Sequence, residues 1–322
     1  MRGEVPPLGI GFPYLPSAPS ALYAEGLLNF VEVAPDALCR RDEQLELSFD
    51  PALLNAALEV TAGLPTVVHG VELSIGSAHA WNASYVDILD QFAQLRPFVW
   101  HSEHSGFLRA LDLRGRLTET GVPLPLPFTC EAANLVSARA HALLSRYGVP
   151  FLLENAVHYL PELPTDAGWD EVQFLNEVSR QSGCGLLLDL FNLHCNARHH
   201  RFSVVEALDR LVLERVMEIH IAGGATHEGF LLDSHSAIVP EAVWNLLEEV
   251  LPRTPRLRGI VFEVLVRRSR VSVSNWSTVS WRERGACGIH MQSLLGGLPH
   301  EPLHLANRRH RAGGGCDGSS RR

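Results

Sequence analysis

The chain contains no lysine: all 27 of its basic residues are arginine. Schiff-base and pyridoxal-phosphate chemistry on a protein lysine is thereby excluded. Basic residues are outnumbered by 36 acidic ones, and the formal net charge of −9 argues against a nucleic-acid backbone as partner. No apolar run approaches the roughly 20 residues that span a bilayer. No basic start followed by an apolar core marks a secretory signal. The expectation is a cytoplasmic protein with no membrane partner. The six cysteines, at 39, 130, 184, 195, 287 and 316, show no CxxC spacing, which speaks against a disulfide framework or a structural zinc site. There is no GxSxG nucleophile elbow and no GxxxxGK(S/T) phosphate loop. Gly183-Cys184-Gly185 precedes an apolar run instead of following one, so it is no dinucleotide fingerprint.

What the chain does have is an ordinary hydrophobic share of 46% over 322 residues, and 16 histidines whose placement is informative. Eight short apolar runs end, or nearly end, on polar residues: Leu8–Pro13, Phe30–Ala34 with Glu32, Thr66–His69, Phe98–His104, Phe151–Asn155, Gly185–Asp189, Val216–Ile221 and Gly259–Val264. Short continuous apolar runs bounded by turn signals read as buried parallel strands. Helical patterns alternate with them, at Ser20–Leu28, Pro51–Thr61, Tyr85–Leu95, Leu135–Tyr147, Asp170–Ser182, Val204–Leu213 and Glu241–Leu251. The alternation predicts an α/β fold, a (β/α)8 TIM barrel over residues 1–266, with chemistry at the C-terminal ends of the strands. The stretch from His104 to Pro127 reads as a loop. Residues 267–322 turn rich in Ser, Arg, Gly and His and read as an atypical segment, with a short helix at Cys287–Leu295 and a disordered tail at Ala312–Arg322.

The strand ends carry His69, His104, Glu154 with Asn155, Asp189 with Asn192, Glu218 with His220, and Glu263; Asp233 and His235 follow the seventh run. Alternate strand residues share a face, so His101 and Glu103 point away from His104, toward the helices. Glu32 is expected to shape the pocket without binding metal. His158, His194, His199 and His200 read as loop residues. A single histidine after a strand is usually a hydrogen-bonded structural residue, and a single aspartate a cap or turn former. Five or six strands ending this way are different, because uncompensated buried ions cost several kcal/mol each and a metal removes that penalty. The set exceeds one tetrahedral zinc site and suits two or three octahedral ions bridged by carboxylate. Mixed N/O donors without thiolate favour iron, manganese or zinc.

These residues resemble a known family. Val68-His69-Gly70, Ser102-Glu103-His104, Leu152-Leu153-Glu154-Asn155, Gly183-Cys184-Gly185-Leu186-Leu187-Leu188-Asp189 with Asn192, Glu218-Ile219-His220-Ile221-Ala222-Gly223 and Asp233-Ser234-His235 occur in the order found in the DUF692 family of multinuclear non-heme iron-dependent oxidative enzymes, relatives of methanobactin biosynthesis protein B. The resemblance implies two or three irons in partly mixed Fe(II)/Fe(III) valence and O2 as co-substrate. It also implies oxidative modification of cysteine in a ribosomally made precursor peptide, with a leader-binding partner protein. By the same resemblance His69, His104, Glu154, Asp189, His220, Asp233, His235 and Glu263 are candidate metal ligands. Glu154, Asp189 and His220 form the catalytic heart, Glu154 as a bridging carboxylate. Asn155 and Asn192 stand at or beside the ions; where relatives often have an Asn-His pair after the sixth strand this chain has His199-His200, in which His200 matches the histidine and joins the candidates at or beside the ions. The segment after Glu263 departs from the family's closing strand and helix.

Two other readings stay open on the residues alone. A divalent-metal barrel of the xylose isomerase or endonuclease IV type presents similar ligands, although the sugar isomerases commonly use a lysine and endonucleases need a basic groove. A barrel that only binds a peptide or partner, inactive through its altered C-terminus, is the non-enzymatic alternative.

Overall fold

The computed structural model describes residues 5–23, 26–160 and 162–263. The eight apolar runs become parallel strands: β1 (Gly9–Pro13), β2 (Phe30–Val33), β3 (Thr66–Gly70), β4 (His101–His104), β5 (Phe151–Glu154), β6 (Gly185–Asp189), β7 (Val216–Ala222) and β8 (Gly259–Glu263). They close into a barrel in sequential order, β8 pairing back onto β1 with Gly9 opposite Gly259. Helices α1 (Pro51–Val60), α2 (Ala83–Leu95), α3 (Cys130–Tyr147), α4 (Glu171–Ser182), α5 (Leu190–His200), α6 (Val204–Arg210) and α7 (Glu241–Val250) alternate with the strands. The protein is thus a TIM barrel, as the alternation predicts. The proposed 267–322 segment, with its short helix and tail, lies outside the described residues.

Local chemistry sets the element ends. Asp50, Asn82, Thr129, Asp170, Asp189 and Ser203 each accept a backbone N–H at a helix start, satisfying donors that the helix itself leaves unpaired. Gly148 and Gly183 close α3 and α4 in the left-handed conformation, with φ of 72° and 78°.

The N-terminal half of the barrel interior is a dry plug of Phe30, Val67, Trp100, Leu152, Leu187 and Val261. Phe30 and Trp100 meet edge-on with centroids 5.7 Å apart. A Cβ at Gly11 or Gly259 would lie 2.4 or 2.7 Å from the Phe30 ring, so only glycine admits that ring. Above the plug the inward positions become polar. A register shift between β6 and β7 pairs Leu186 with Val216 but Leu187 with Glu218. The residue skipped is Met217, and Glu218 and His220 then both face the interior.

The structure corrects several local expectations. Within the expected Ser20–Leu28 helix, Ser20–Tyr23 forms a single 3-10 turn, and among the described residues no α-helix follows β1 before β2. The fourth strand starts at His101, not Phe98. The expected loop after His104 holds an antiparallel hairpin, Gly106–Leu111 against Leu117–Pro125. His194, His199 and His200 lie on α5 instead of in a loop. A polar sequence hid that helix, because its first residues follow the strand without a break and Asp189 serves as both strand end and N-cap.

Candidate metal centre

At the C-terminal mouth, one side chain from each of six strands converges with a pair from one loop. His69 and His104 place their Nε2 atoms 3.4 and 3.3 Å from Glu154 Oε2. His220 Nδ1 stands 3.1 Å from Glu263 Oε2. His235 Nε2 lies 2.8 Å from Asp233 Oδ1 and 3.5 Å from Glu263 Oε2. One donor atom from each member lies within 4.8 Å of the others in three sets at the mouth: His69–His104–Glu154, His69–His220–Glu263, and Glu154–Asp189–His220–Glu263. Sets that share Glu154, His220 and Glu263 can hold adjacent ions through common carboxylates.

Two of the imidazoles have their remaining nitrogen committed elsewhere. Ser102 Oγ donates to the Val68 carbonyl and lies 2.9 Å from His69 Nδ1, so that nitrogen carries the proton and Nε2 keeps its lone pair. His104 Nδ1 points at the Gly70 carbonyl, 3.4 Å away, with the same result. Such partners orient a ligand and fix its tautomer.

The fit to a metal can be tested on the donors themselves. Glu154 Oε2, Asp189 Oδ2, His220 Nδ1, Asp233 Oδ1 and His235 Nε2 are buried yet make no hydrogen bond of acceptable geometry, despite the short separations among them. Buried polar atoms are normally satisfied. Lone pairs that crowd together without aligning as donor and acceptor are what a ligand set looks like, and the nitrogen and carboxylate donors fit divalent transition ions.

Charge tells the same story. Burial, aided by His104 and His220, holds His69 well below the usual histidine range, and burial also lowers His104; both are neutral and ready to ligate. Burial, with Asp233 and Glu263 nearby, pushes Asp189 up to about 8. Burial likewise raises Glu154 well above the carboxylate range. Burial opposes a charge on His220 and His235, but Glu263 outweighs it, with Glu32 helping at His220 and Asp233 at His235. His220 is raised well above its usual value and His235 to about 10. A cation would replace this strained proton inventory.

Two asparagines serve the frame. Asn155 Nδ2 donates to the Asp189 carbonyl at 2.9 Å and its Oδ1 accepts the Asp189 N–H at 2.8 Å. Its polar atoms are spent holding the backbone of a candidate ligand. Asn192 lends its N–H to Asp189 Oδ1 at 2.6 Å, and its side-chain amide reaches toward Glu154 Oε1. Asp189 therefore caps α5 with one oxygen and turns the other into the cluster. His200 is not brought to the cluster: it stacks on His158 with centroids 4.0 Å apart and meets the His158 carbonyl at 3.0 Å. His101 and Glu103 pair with each other at 2.8 Å on the outer face, as the alternation predicts.

Four residues that sequence reasoning left out of the ligand set also stand at the cluster or its loop. Glu32, expected only to line the pocket, has its carboxylate 3.1 Å from His220 Nε2. Glu218 lies below His220, 3.9 Å away, and accepts the Trp100 indole N–H at 2.8 Å. Glu32, Glu218 and His220 thus form a fourth close set beneath the mouth, one in which each carboxylate already faces an N–H. Tyr159 Oη accepts the Asp233 N–H, and His199 Nε2 accepts the Leu231 N–H, each at 3.1 Å. These last two latch the loop that carries Asp233 and His235. That loop begins with a hairpin whose Glu228-Gly229 corner has both φ angles positive, at 48° and 88°. His235 itself is held at φ 50°, uncommon for a side-chain-bearing residue.

Comparison with known proteins matches residues 8–264 to the family described as RiPP precursor modification enzyme MbnB/TglH/ChrH. The chain belongs to this family, a class of metalloenzymes acting on peptides. A UPF0276 protein of Anaeromyxobacter sp. (strain Fw109-5) is 36% identical over 217 residues, 64% of this chain and 71% of that protein. A UPF0276 protein of Neisseria meningitidis serogroup B (strain MC58) is 30% identical over 236 residues, 73% of this chain and 79% of that protein. Among solved structures, endonuclease IV from Thermus thermophilus is similar at a TM-score of 0.48 and 20% identity, over 80% of this chain and 93% of that one; so distant a likeness says nothing about activity. No described helix is long and apolar enough to cross a membrane.

Proposed function

We propose that this protein oxidatively modifies cysteine in a ribosomally synthesised precursor peptide, using two or three irons in partly mixed Fe(II)/Fe(III) valence and O2 as co-substrate. A leader-binding partner protein presents the peptide, and the work is cytoplasmic. The observation that carries the reading is the sharing of Glu154, His220 and Glu263 among converging donor sets. A mononuclear site would not need that sharing.

On this reading His69, His104 and Glu154 would hold one ion, Glu154, Asp189 and His220, with Glu263, a second, and Asp233, His235 and Glu263 a third. Bound there, iron would supply one-electron chemistry with O2 and Lewis acidity toward a cysteine thiolate. The chain's own share is positional. Ser102 and the Gly70 carbonyl keep two imidazoles aimed. Asn155 and Asn192 hold Asp189 in place. The plug beneath the site excludes water from one side, which strengthens every electrostatic contact above it.

The test is aerobic incubation of iron-loaded protein with cysteine-containing precursor peptides, with and without the leader-binding protein. The expected result is an O2-dependent change in peptide mass located at cysteine. Unchanged mass for every precursor, partner protein included, contradicts the reading.

A further inference from the structure

We infer that Glu32 is a positioning residue: by accepting the Nε2 proton of His220 it commits that imidazole to presenting Nδ1 to the metal centre. The inference rests on the metal reading above and goes beyond it, since Glu32 holds none of the three proposed ions.

The geometry is specific. His220 is wholly buried, and Glu32 is 2% exposed, so water cannot compete for the imidazole nitrogens. Nε2 meets Glu32 Oε2 at 3.1 Å in hydrogen-bond geometry. Nδ1, on the other side of the ring, is 3.1 Å from Glu263 Oε2 and has no hydrogen bond. Among the described residues, the other carboxylate near Nε2 is that of Glu218, 3.9 Å away and tethered by Trp100. A neutral imidazole carries its proton on one nitrogen only. With Glu32 Oε2 as its acceptor, the proton stays on Nε2 and the Nδ1 lone pair faces Glu263, Asp189 and Glu154. The opposite tautomer would aim an N–H at the ligands and leave Glu32 buried without a donor.

His69 and His104 are backed by neutral oxygens, the Ser102 hydroxyl and the Gly70 carbonyl. Of these three imidazoles His220 alone is backed by a carboxylate. A charged acceptor bonds more strongly and adds electron density to the ligand, which favours the higher oxidation state of the ion it holds. Glu32 stands on β2 and His220 on β7, separated in the ring by β1 and β8. The contact therefore exists only in the closed barrel.

Wild-type, Glu32→Gln and Glu32→Leu proteins are titrated anaerobically with Fe(II) against a competing chelator. The reduction potential of the loaded protein is then measured, and Co(II)-substituted samples are examined by proton NMR. Glu32→Leu is expected to lose about 10- to 100-fold in affinity for one ion, the usual effect of removing such a support. Its hyperfine-shifted, slowly exchanging imidazole N–H should vanish. Glu32→Gln keeps shape and an acceptor oxygen, so it should lose less affinity while its potential moves positive. Because it is nearly isosteric, it decides the matter even if the leucine variant fails to fold. Wild-type affinity and potential in Glu32→Gln, with the slowly exchanging N–H intact, would overturn the assignment and leave the metal reading standing. A wild-type protein that takes up no divalent ion overturns both.

Discussion

Glu154→Gln leaves the protein with at most one ion per chain. Glu154 belongs to two of the converging donor sets, so the substitution removes a ligand from two positions at once. Its Oε2 is buried, has no hydrogen bond, and stands within 3.4 Å of both His69 Nε2 and His104 Nε2. An amide there offers a neutral oxygen or an N–H that repels a cation. Losing a mere support of a ligand costs about 10- to 100-fold in affinity, and losing a shared ligand should exceed the upper figure at each position. Asp233→Asn, by contrast, alters only the Asp233–His235–Glu263 group and should spare the other ions. Elemental analysis after gel filtration compares the two variants. A full complement of metal in Glu154→Gln would show that Glu154 bridges nothing.

Without metal, stability falls steeply as pH rises from 6.5 to 8, and metal reduces that slope. The carboxyls of Asp189 and Glu218 are raised to about 8 in the folded chain, chiefly by burial. A raised pKa stabilises the fold fully below the unfolded value, and that contribution is lost as pH climbs through the folded one. A tenfold difference in proton affinity between the folded and unfolded chain is worth about 1.4 kcal/mol. The two carboxyls together therefore make the metal-free fold several kcal/mol weaker at pH 8 than in mild acid. His235, raised to about 10 by Glu263 and Asp233 against the effect of burial, loses its contribution between 6.5 and 10, in the same direction. His69 and His104 are lowered by burial and act oppositely, but only below 6.5. Asp36 and Glu171, outside the cluster, are raised by burial to about 7 and add to the slope in both samples, so the difference between metal-free and metal-loaded protein reports the acidic cluster. Thermal melts of chelator-treated and metal-loaded protein at pH 6.5, 7.25 and 8 should diverge as pH rises. Parallel melting curves would mean that no ion neutralises these groups.

The fold was legible because eight buried strands write themselves as apolar runs, and the polar residues ending them marked the mouth. Alternation separated His104, facing inward, from His101 and Glu103, facing the helices. Helix α5 was not legible, since Asn, His and Cys dominate its sequence and its capping residue doubles as the last residue of a strand. The hairpin after His104 was masked by the Gly and Pro residues that also signal loops. Glu32 was legible as a pocket residue, but its contact with His220 was not. It sits 188 residues from His220, and only barrel closure reveals that β2 and β7 face each other across the mouth. The latch of Tyr159 and His199 on the Asp233 loop has no sequence pattern, because each contact is to a backbone N–H.

The central claim is a multinuclear metal centre at the barrel mouth. Its most direct test is metal stoichiometry after anaerobic Fe(II) reconstitution and gel filtration, with Mössbauer spectra of the product. The account predicts two to three irons per chain, at least two of them magnetically coupled through a carboxylate. A protein that retains well under one ion of any metal per chain, or a single uncoupled iron, would contradict it.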